Sequence, residues 1–140
     1  MKVYLTRRYR FSASHRLHSD AMSDTENAAT YGKCNNPHGH GHNYTVEITV
    51  SGSVDEKTGM ACNLVDLDDA VHRQILDRFD LQNLNKAAEF AAQVPTTENL
   101  CRLIYDILQR TFHHAHLEMV RIEETMLNSF AYAGGEEALR

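Results

Sequence analysis

The stretch His-Gly-His-Asn-Tyr-Thr-Val-Glu-Ile-Thr-Val at residues 40–50 alternates between two kinds of side chain, and this alternation predicts the sheet on which the fold is built. One set of alternate positions holds His40, His42, Tyr44, Val46, Ile48 and Val50. The other set holds Asn43, Thr45, Glu47 and Thr49. Because side chains at i and i+2 of a strand share a face, the pattern predicts a strand over about residues 39–53 whose core-facing side begins with two histidines.

A second strand, predicted over about residues 2–14, leads to a third histidine in the same way. Tyr9, Phe11, Ala13 and His15 share one of its faces. Three neutral imidazoles with an open fourth position are the usual ligand set of a catalytic zinc site. The sequence therefore predicts that His15, His40 and His42 bind Zn²⁺ at the rim of the core. The alternative is that these histidines are solvated side chains at polar strand ends.

Length and composition favour one domain over residues 1–140 that acts on a small molecule. The net charge of −5 gives little support to nonspecific nucleic-acid binding. No apolar run approaches the roughly 20 residues that cross a bilayer, and the first residues lack the apolar region of a signal peptide. Three cysteines without scaffold spacing argue for reduced thiols. We therefore expect a cytoplasmic protein without nucleic-acid or membrane partners.

Hydrophobic periodicity predicts two helices between two pairs of strands. The predicted strands lie at about residues 2–14, 39–53, 117–125 and 130–132. Residues 16–38 are predicted as a long loop, and Asp66 as the N-cap of a first amphipathic helix. Thr96 or Thr97 caps a second, whose apolar residues follow the i, i+3, i+4, i+7 pattern. These elements predict an α+β fold, a four-stranded antiparallel sheet with two helices packed on one face.

Several segments of the chain, taken in order and spacing, resemble the 6-pyruvoyl-tetrahydropterin synthase family. They are Phe-Ser-Ala-Ser-His-Arg-Leu at 11–17, Gly-Lys-Cys-Asn-Asn-Pro-His-Gly-His-Gly-His-Asn-Tyr at 32–44, Asn-Leu-Val-Asp-Leu at 63–67 and Thr-Thr-Glu-Asn at 96–99. The gap between Cys34 and His40 resembles the synthases of biopterin-making organisms more than the related 6-carboxytetrahydropterin synthases of the queuosine pathway, where it is shorter. The resemblance implies a T-fold, and a homohexamer of two trimers with active sites at subunit interfaces.

The resemblance also implies a reaction. In this family zinc holds side-chain hydroxyls of 7,8-dihydroneopterin triphosphate, triphosphate is eliminated, and internal redox and tautomeric steps give 6-pyruvoyl-tetrahydropterin. The chain is therefore expected to be a zinc-dependent carbon–oxygen lyase. Cys34 matches the family's general base, and Asp80 matches a member of its proton relay. The residues that match its pterin contacts are Thr96, Thr97, Glu98 and Glu124.

Glu124 is also singled out by the pattern of its own strand. Alternation places it with Val120 and Ile122 on the apolar face, where a carboxylate is costly unless it is paired. The plain alternative is a strand-end glutamate that reaches water. For Thr96 and Thr97 the plain alternative is helix capping, which is compatible with contact to a pterin.

Two basic residues near these motifs have predicted roles. Lys33 is expected to favour the thiolate of Cys34 together with the metal. Arg16 is a candidate contact of the triphosphate, although arginines in loops are most often solvated.

The chain departs from the family in the stretch Phe-Asp-Leu-Gln-Asn-Leu at 79–84. Asp80 is kept, but Leu81 stands where the family has a histidine, and losing a positioned acid or base typically lowers a rate by a factor of roughly 10² to 10⁴. Three hypotheses stay open. The chain is an active lyase in which Asp80, Cys34 and water, or another histidine, move the protons; it cleaves a dihydropterin side chain, as 6-carboxytetrahydropterin synthases do; or it binds zinc and pterin without turnover.

Overall fold

The computed structural model describes residues 1–135 and shows a five-stranded sheet with helices on one face. The strands are β1 (Lys2–His15), β2 (His40–Ser53), β3 (Gln82–Asn83), β4 (His116–Thr125) and β5 (Asn128–Tyr132). Their order in the sheet is β3-β1-β2-β4-β5. The predicted α+β class is confirmed, but the sheet is not purely antiparallel and four-stranded, because β3 pairs in parallel with Ala13 and Ser14 of β1. The predicted single domain extends into residues 136–140, which lie outside the described part of the chain.

The register of β1 and β2 brings their two core-facing stripes together. Paired residues include His15 with His40, Ala13 with His42, and Phe11 with Tyr44. The rings of Phe11 and Tyr44 stack with their centroids 5.1 Å apart. Because the end of β1 lies beside the start of β2, the register alone carries all three histidines to one end of the sheet.

The helices are α1 (Asp24–Tyr31), α2 (Leu64–Val71), α3 (Asp77–Phe79) and α4 (Thr97–Thr111). A π-helical turn at His72–Leu76 joins α2 to α3, so the predicted first helix is one continuous helical segment. Its predicted cap at Asp66 is wrong. The side chain of Asn63 accepts a hydrogen bond from the backbone N–H of Val65, so the helix starts before Asp66. The predicted cap of the second helix at Thr96 is confirmed.

The segment predicted as a loop over residues 16–38 contains α1 and a 3₁₀ turn at Gly32–Asn35. Ser23 and Glu26 form a capping box at the start of α1. Asn27 is fully buried, and its side-chain amide donates to three backbone carbonyls of the preceding turn. Polar hydrogen bonds rather than an apolar face therefore order the segment that leads into the 3₁₀ turn.

The core lies between the sheet and α2, α3 and α4. Fully buried core residues include Val46, Ile48, Leu67, Ile75, Leu100, Ile104 and Ile122. At the edge of this layer, Arg7 of β1 makes two hydrogen bonds to Asp68 of α2, at 2.9 and 3.0 Å, and Tyr9 donates a third to the same carboxylate at 2.7 Å. These contacts fix β1 against the helices. None of the helices in residues 1–135 combines the length and apolar character needed to cross a bilayer.

Candidate metal centre and active site

The three predicted histidines meet where β1 ends and β2 begins. His15 is buried, with 1% of its surface exposed, while His40 and His42 are half-buried. Their possible ligand atoms all lie within 4.8 Å of one another. The Nε2 atoms of His15 and His40 are 3.2 Å apart, close to the roughly 3.3 Å expected between two nitrogen ligands of a tetrahedral zinc ion. The positions of the three histidines therefore agree with the predicted metal site.

The surroundings of these rings fit a metal ion. His15 Nδ1 lies 2.8 Å from the carbonyl oxygen of Pro95, which can only accept, so Nδ1 carries the proton and Nε2 is left as a ligand. His42 Nε2 is buried and has no hydrogen-bond partner among residues 1–135, an arrangement that proteins rarely leave uncompensated. Burial lowers the pKa of both His15 and His42, which favours the neutral imidazole that binds metals.

Glu124 lies beside the histidines, as its strand pattern predicts. Its charge raises the pKa of His15 and of His42, against the larger effect of burial. Thr97, which is buried at the start of α4, donates a hydrogen bond from its hydroxyl to Glu124 Oε2. The pairing of β4 with β5 is irregular between Glu123 and Thr125, and such irregularities re-aim side chains. Two predicted pterin contacts are thus joined directly to each other.

Cys34 lies in the 3₁₀ turn, half-buried and close to Glu124. Its backbone carbonyl accepts a hydrogen bond from Leu17, two residues after His15, at 2.8 Å. Burial raises the pKa of the Cys34 thiol, and the negative charge of Glu124 raises it further. Lys33 is exposed, and its support of the thiolate together with the metal stays a prediction. In the chain alone the sulfur is therefore held as a thiol.

Tyr44 is a member of the site that the sequence pattern contained but did not single out. It is fully buried, and its hydroxyl oxygen lies 3.5 Å from His15 Nδ1. Its ring meets the rings of His15 and His42 edge-on. Burial raises the pKa of Tyr44, so it stays a neutral phenol that forms the floor of the histidine cluster. Its position on the same strand face as His40 and His42 was the available signal.

Asp80 and Leu81 lie at the edge of β1, where both bond the backbone of Ser12, and Leu81 and His42 line a common cavity. Asp80 is exposed, and its Oδ1 accepts a hydrogen bond from the backbone N–H of Ser12 at 2.9 Å. Leu81 has a positive φ of 61°, is 81% exposed, and donates its N–H to the Ser12 carbonyl. Within residues 1–135, no hydrogen bond or ion pair joins Asp80 to Cys34 or to the histidines. The catalytic roles predicted for Asp80 and Cys34 stay predictions.

The remaining predicted pterin contacts lie at the start of α4. Thr96 acts as the N-cap, with its hydroxyl oxygen accepting a hydrogen bond from the N–H of Asn99 at 3.2 Å. Glu98 is exposed and faces away from the buried side on which Thr97 meets Glu124. Of the three consecutive residues, Thr97 is the one that reaches the cluster.

Comparison with known proteins agrees with this geometry. The sequence profile of the family described as "6-pyruvoyl tetrahydropterin synthase" matches residues 4–135. The chain is 50% identical to the 6-pyruvoyl tetrahydrobiopterin synthase of Drosophila melanogaster, over 94% of this chain and 80% of that protein. It is 46% identical to the human synthase, over 95% and 92%.

The fold can be compared with a solved structure at similar identity. The 6-pyruvoyl tetrahydropterin synthase of Caenorhabditis elegans superimposes with a TM-score of 0.92 at 40% identity, covering 96% of this chain and 97% of that one. Sequence and fold thus agree over nearly the whole length of the chain. The chain belongs to the 6-pyruvoyl tetrahydropterin synthase family.

Proposed function

We propose that this chain is a zinc-dependent carbon–oxygen lyase that eliminates triphosphate from 7,8-dihydroneopterin triphosphate and yields 6-pyruvoyl-tetrahydropterin. The observation that carries the proposal is the convergence of three histidine nitrogens with Thr97 and Glu124 beside Cys34. The names of the relatives support the same activity. Such a reaction needs nitrogen ligands that bind the metal, a carboxylate that binds the pterin ring, and a thiol that transfers a proton.

His15, His40 and His42 would hold zinc through their Nε2 atoms. A zinc ion so held supplies a Lewis acid that polarises substrate oxygens and lowers the pKa of bound hydroxyls. The Pro95 carbonyl fixes the ring of His15 and its tautomer. Zn²⁺ is favoured over Mg²⁺ or Ca²⁺ because those ions prefer oxygen ligands.

Glu124 is the proposed anchor of the pterin ring. Its carboxylate accepts hydrogen bonds from the ring N3–H and the amino group, and the hydroxyl of Thr97 holds it in orientation. Thr96 and Glu98 remain proposed contacts at the start of α4. Cys34 is the proposed general base. The negative charge of the neighbouring Glu124 raises the pKa of its thiol. A bound cation or substrate would lower that pKa and allow the thiolate to form.

The proposed assembly is a cytoplasmic homohexamer of two trimers. The support is that the sheet has open edges, since β3 covers only Ala13 and Ser14 of β1, and β5 pairs with β4 alone. Asp80 and Leu81 lie at one of these edges. We infer that Asp80 serves the site of a neighbouring copy, because within residues 1–135 no hydrogen bond or ion pair joins it to Cys34.

The presence of Leu81 is the reason to test two alternative functions. A leucine side chain carries no proton, and 81% of its surface is exposed where the family has a histidine. A lyase that cleaves the side chain of the same substrate, in the manner of 6-carboxytetrahydropterin synthase, is one alternative. A noncatalytic pterin-binding protein is the other.

One experiment separates the three. The zinc-loaded chain is incubated with 7,8-dihydroneopterin triphosphate, and the products are identified by chromatography and mass spectrometry. Released triphosphate together with the pyruvoyl product is the expected result. A shortened side chain would replace the proposal with the cleaving lyase. Substrate that binds but is recovered unchanged would identify a noncatalytic binder.

A further inference from the structure

The hydroxyl of Tyr44 is a buried polar group to which the proposed reaction assigns no role. The side chain is fully buried on the core-facing side of β2, and its ring stacks on Phe11 of β1 with the centroids 5.1 Å apart. A tyrosine hydroxyl buried in this way donates its proton to a hydrogen-bond acceptor. The identity of that acceptor therefore indicates what the hydroxyl does.

Among residues 1–135, the polar side chains that meet this hydroxyl are His15 and Thr97. His15 Nδ1 is 3.5 Å away, and Thr97 forms a side-chain hydrogen bond with Tyr44. His15 Nδ1 carries a proton that it donates to the Pro95 carbonyl at 2.8 Å, so this nitrogen cannot accept another. The proton of Tyr44 is therefore directed to the hydroxyl oxygen of Thr97.

The hydroxyl of Thr97 links Tyr44 to Glu124. It holds a single proton, which it donates to Glu124 Oε2. Because its oxygen accepts from Tyr44, the three groups form a chain of donors that ends on a carboxylate, and buried hydrogen bonds in such a chain strengthen one another. Glu124 Oε1 has no hydrogen-bond partner among the described residues. The carboxylate is thus held through one oxygen and open at the other.

We propose that Tyr44 is a positioning residue of the pterin site, whose hydroxyl orients Thr97 and thereby holds the Glu124 carboxylate in place for the donors of the pterin ring. The inference rests on the proposed function, which makes Glu124 the anchor of the pterin. The three residues lie on β2, α4 and β4, so their hydrogen bonds join three separate elements around one carboxylate. Support of this kind keeps a binding group in its productive geometry.

The alternative role for Tyr44 is to support the metal ligand His15. The geometry favours the pterin site, because 3.5 Å is long for a hydrogen bond to His15 Nδ1, whereas the Pro95 carbonyl lies 2.8 Å from the same nitrogen. Removal of the Tyr44 hydroxyl is therefore expected to leave the orientation of His15 unchanged. The two roles differ in whether the affinity for zinc or the affinity for pterin falls.

The test measures binding of 7,8-dihydroneopterin to the zinc-loaded full chain by calorimetry. Tyr44→Phe keeps the ring and removes the hydroxyl. We expect its pterin affinity to fall by roughly three- to tenfold, while its zinc content stays that of the wild type. The matched control is Tyr9→Phe, which removes the hydroxyl of another buried tyrosine, one that donates to Asp68. This control should lose stability but bind the pterin normally.

A double-mutant cycle shows whether Tyr44 acts through Thr97. Thr97→Val removes the hydroxyl at similar volume, and in that background Tyr44→Phe should cause no further loss of pterin affinity. Thr97→Ser retains a hydroxyl, and in that background Tyr44→Phe should cause its full loss. The same loss in every background would identify a purely structural role and would overturn the inference.

Folded Tyr44→Phe that binds the pterin as tightly as the wild type, or that loses zinc instead, would also overturn it. If Tyr44→Phe does not fold, as thermal unfolding would show, Thr97→Val is compared with Thr97→Ser, and equal pterin affinity in these two variants has the same consequence. A wild type that binds no dihydroneopterin would overturn the proposed function as well. Lower pterin affinity in Tyr44→Phe supports the inference even when the wild type turns over no triphosphate substrate, so the two proposals can fail separately.

Discussion

The residues that match the family's functional positions lie on two sides of β1, and the two groups differ in how they are bonded. On the inner side, the ends of β1 and β2 bring three histidines together, and β4 and α4 add Glu124 and Thr97. On the outer edge, Asp80 is bonded to a backbone N–H and Leu81 projects into solvent. The inner group converges within one chain, whereas within residues 1–135 no hydrogen bond or ion pair joins Asp80 or Leu81 to it.

This difference separates two properties that a single active site usually combines. Under the proposed function, metal and pterin binding depend on the inner group, so one correctly folded chain is expected to provide them. Under the same proposal, proton transfer through Asp80 depends on how copies of the chain meet, and Leu81 offers no titratable group there. Binding and turnover are therefore expected to respond to different substitutions.

Replacing His42 by alanine tests the inner group with the largest expected effect. The substitution removes a metal ligand, so zinc affinity should fall by more than the roughly 10- to 100-fold that loss of a ligand's outer partner costs, and turnover should vanish with the metal. Zinc content after dialysis measures the first and product formation the second. The control is His113→Ala, an exposed histidine. Full zinc occupancy in His42→Ala would break the comparison.

The Cys34→Ala variant is expected to bind zinc normally but to turn over substrate much more slowly. The thiol is the proposed general base, and losing such a group typically lowers kcat by a factor of roughly 10² to 10⁴, while the three nitrogen ligands are untouched. Stopped assays of product formation measure the turnover rate, and zinc analysis of the same samples measures the metal content. A matched control is Cys62→Ala, a buried cysteine elsewhere in the core. Equal rates for Cys34→Ala and wild type would remove the thiol from the reaction.

Glu124→Gln is expected to weaken substrate binding by roughly 10- to 100-fold, because hydrogen bonds to a charged group contribute about 1.5–3 kcal/mol. The neutral amide also presents a donor where two donors of the pterin ring approach. Equilibrium binding of 7,8-dihydroneopterin measures the loss. Glu123→Gln, on the outer face beside Arg121, is the control and should bind normally. Similar affinities for both variants would contradict the assignment of the inner carboxylate.

Leu81→His sharpens the comparison from the outer side. It restores a titratable group, and histidine adopts a positive φ more readily than leucine, so we expect turnover to rise by roughly tenfold or more with zinc content unchanged. Leu127→His, at another exposed leucine, should have no such effect. Unchanged turnover in Leu81→His would mean that the missing histidine does not limit the rate.

The smallest expected effect concerns the contact that fixes β1 to α2. Asp68→Asn removes the charge that Arg7 and Tyr9 bond, which should cost about 1–2 kcal/mol of unfolding free energy at neutral pH. Hydrogen bonding from Arg7 holds the pKa of Asp68 below its ordinary value. Its contribution is therefore present above about pH 4 and is lost as the pH falls through the lower folded-state pKa.

Denaturant unfolding of wild type and Asp68→Asn at neutral pH and under acid conditions measures this contribution. The difference between the two proteins should shrink on acidification. A difference that stays constant with pH would mean that the carboxylate charge is not what stabilises this contact.

Much of the inner group could be predicted from the sequence because it follows from strand alternation. The period of two places His40, His42 and Tyr44 on one face, and the apolar stripe that ends at His15 predicts the facing strand. Glu124 was found in the same way. Each of these positions depends on a pattern several residues long, which is where sequence reasoning has most information.

The parts that could not be predicted depend on single hydrogen bonds. The Pro95 carbonyl that orients His15 carries no sequence signal, since every residue has a carbonyl group. The two residues of β3 are too short to show a period, and α1 buries only Asn27 instead of an apolar stripe.

The most direct measurement is anomalous scattering at the zinc absorption edge, from a crystal of the zinc-loaded chain grown with 7,8-dihydroneopterin. The account predicts one peak per chain within bonding distance, about 2.0–2.1 Å, of the Nε2 atoms of His15, His40 and His42, with the pterin ring on Glu124. A peak elsewhere, or a pterin bound away from Glu124 with the three histidines unliganded, would contradict it.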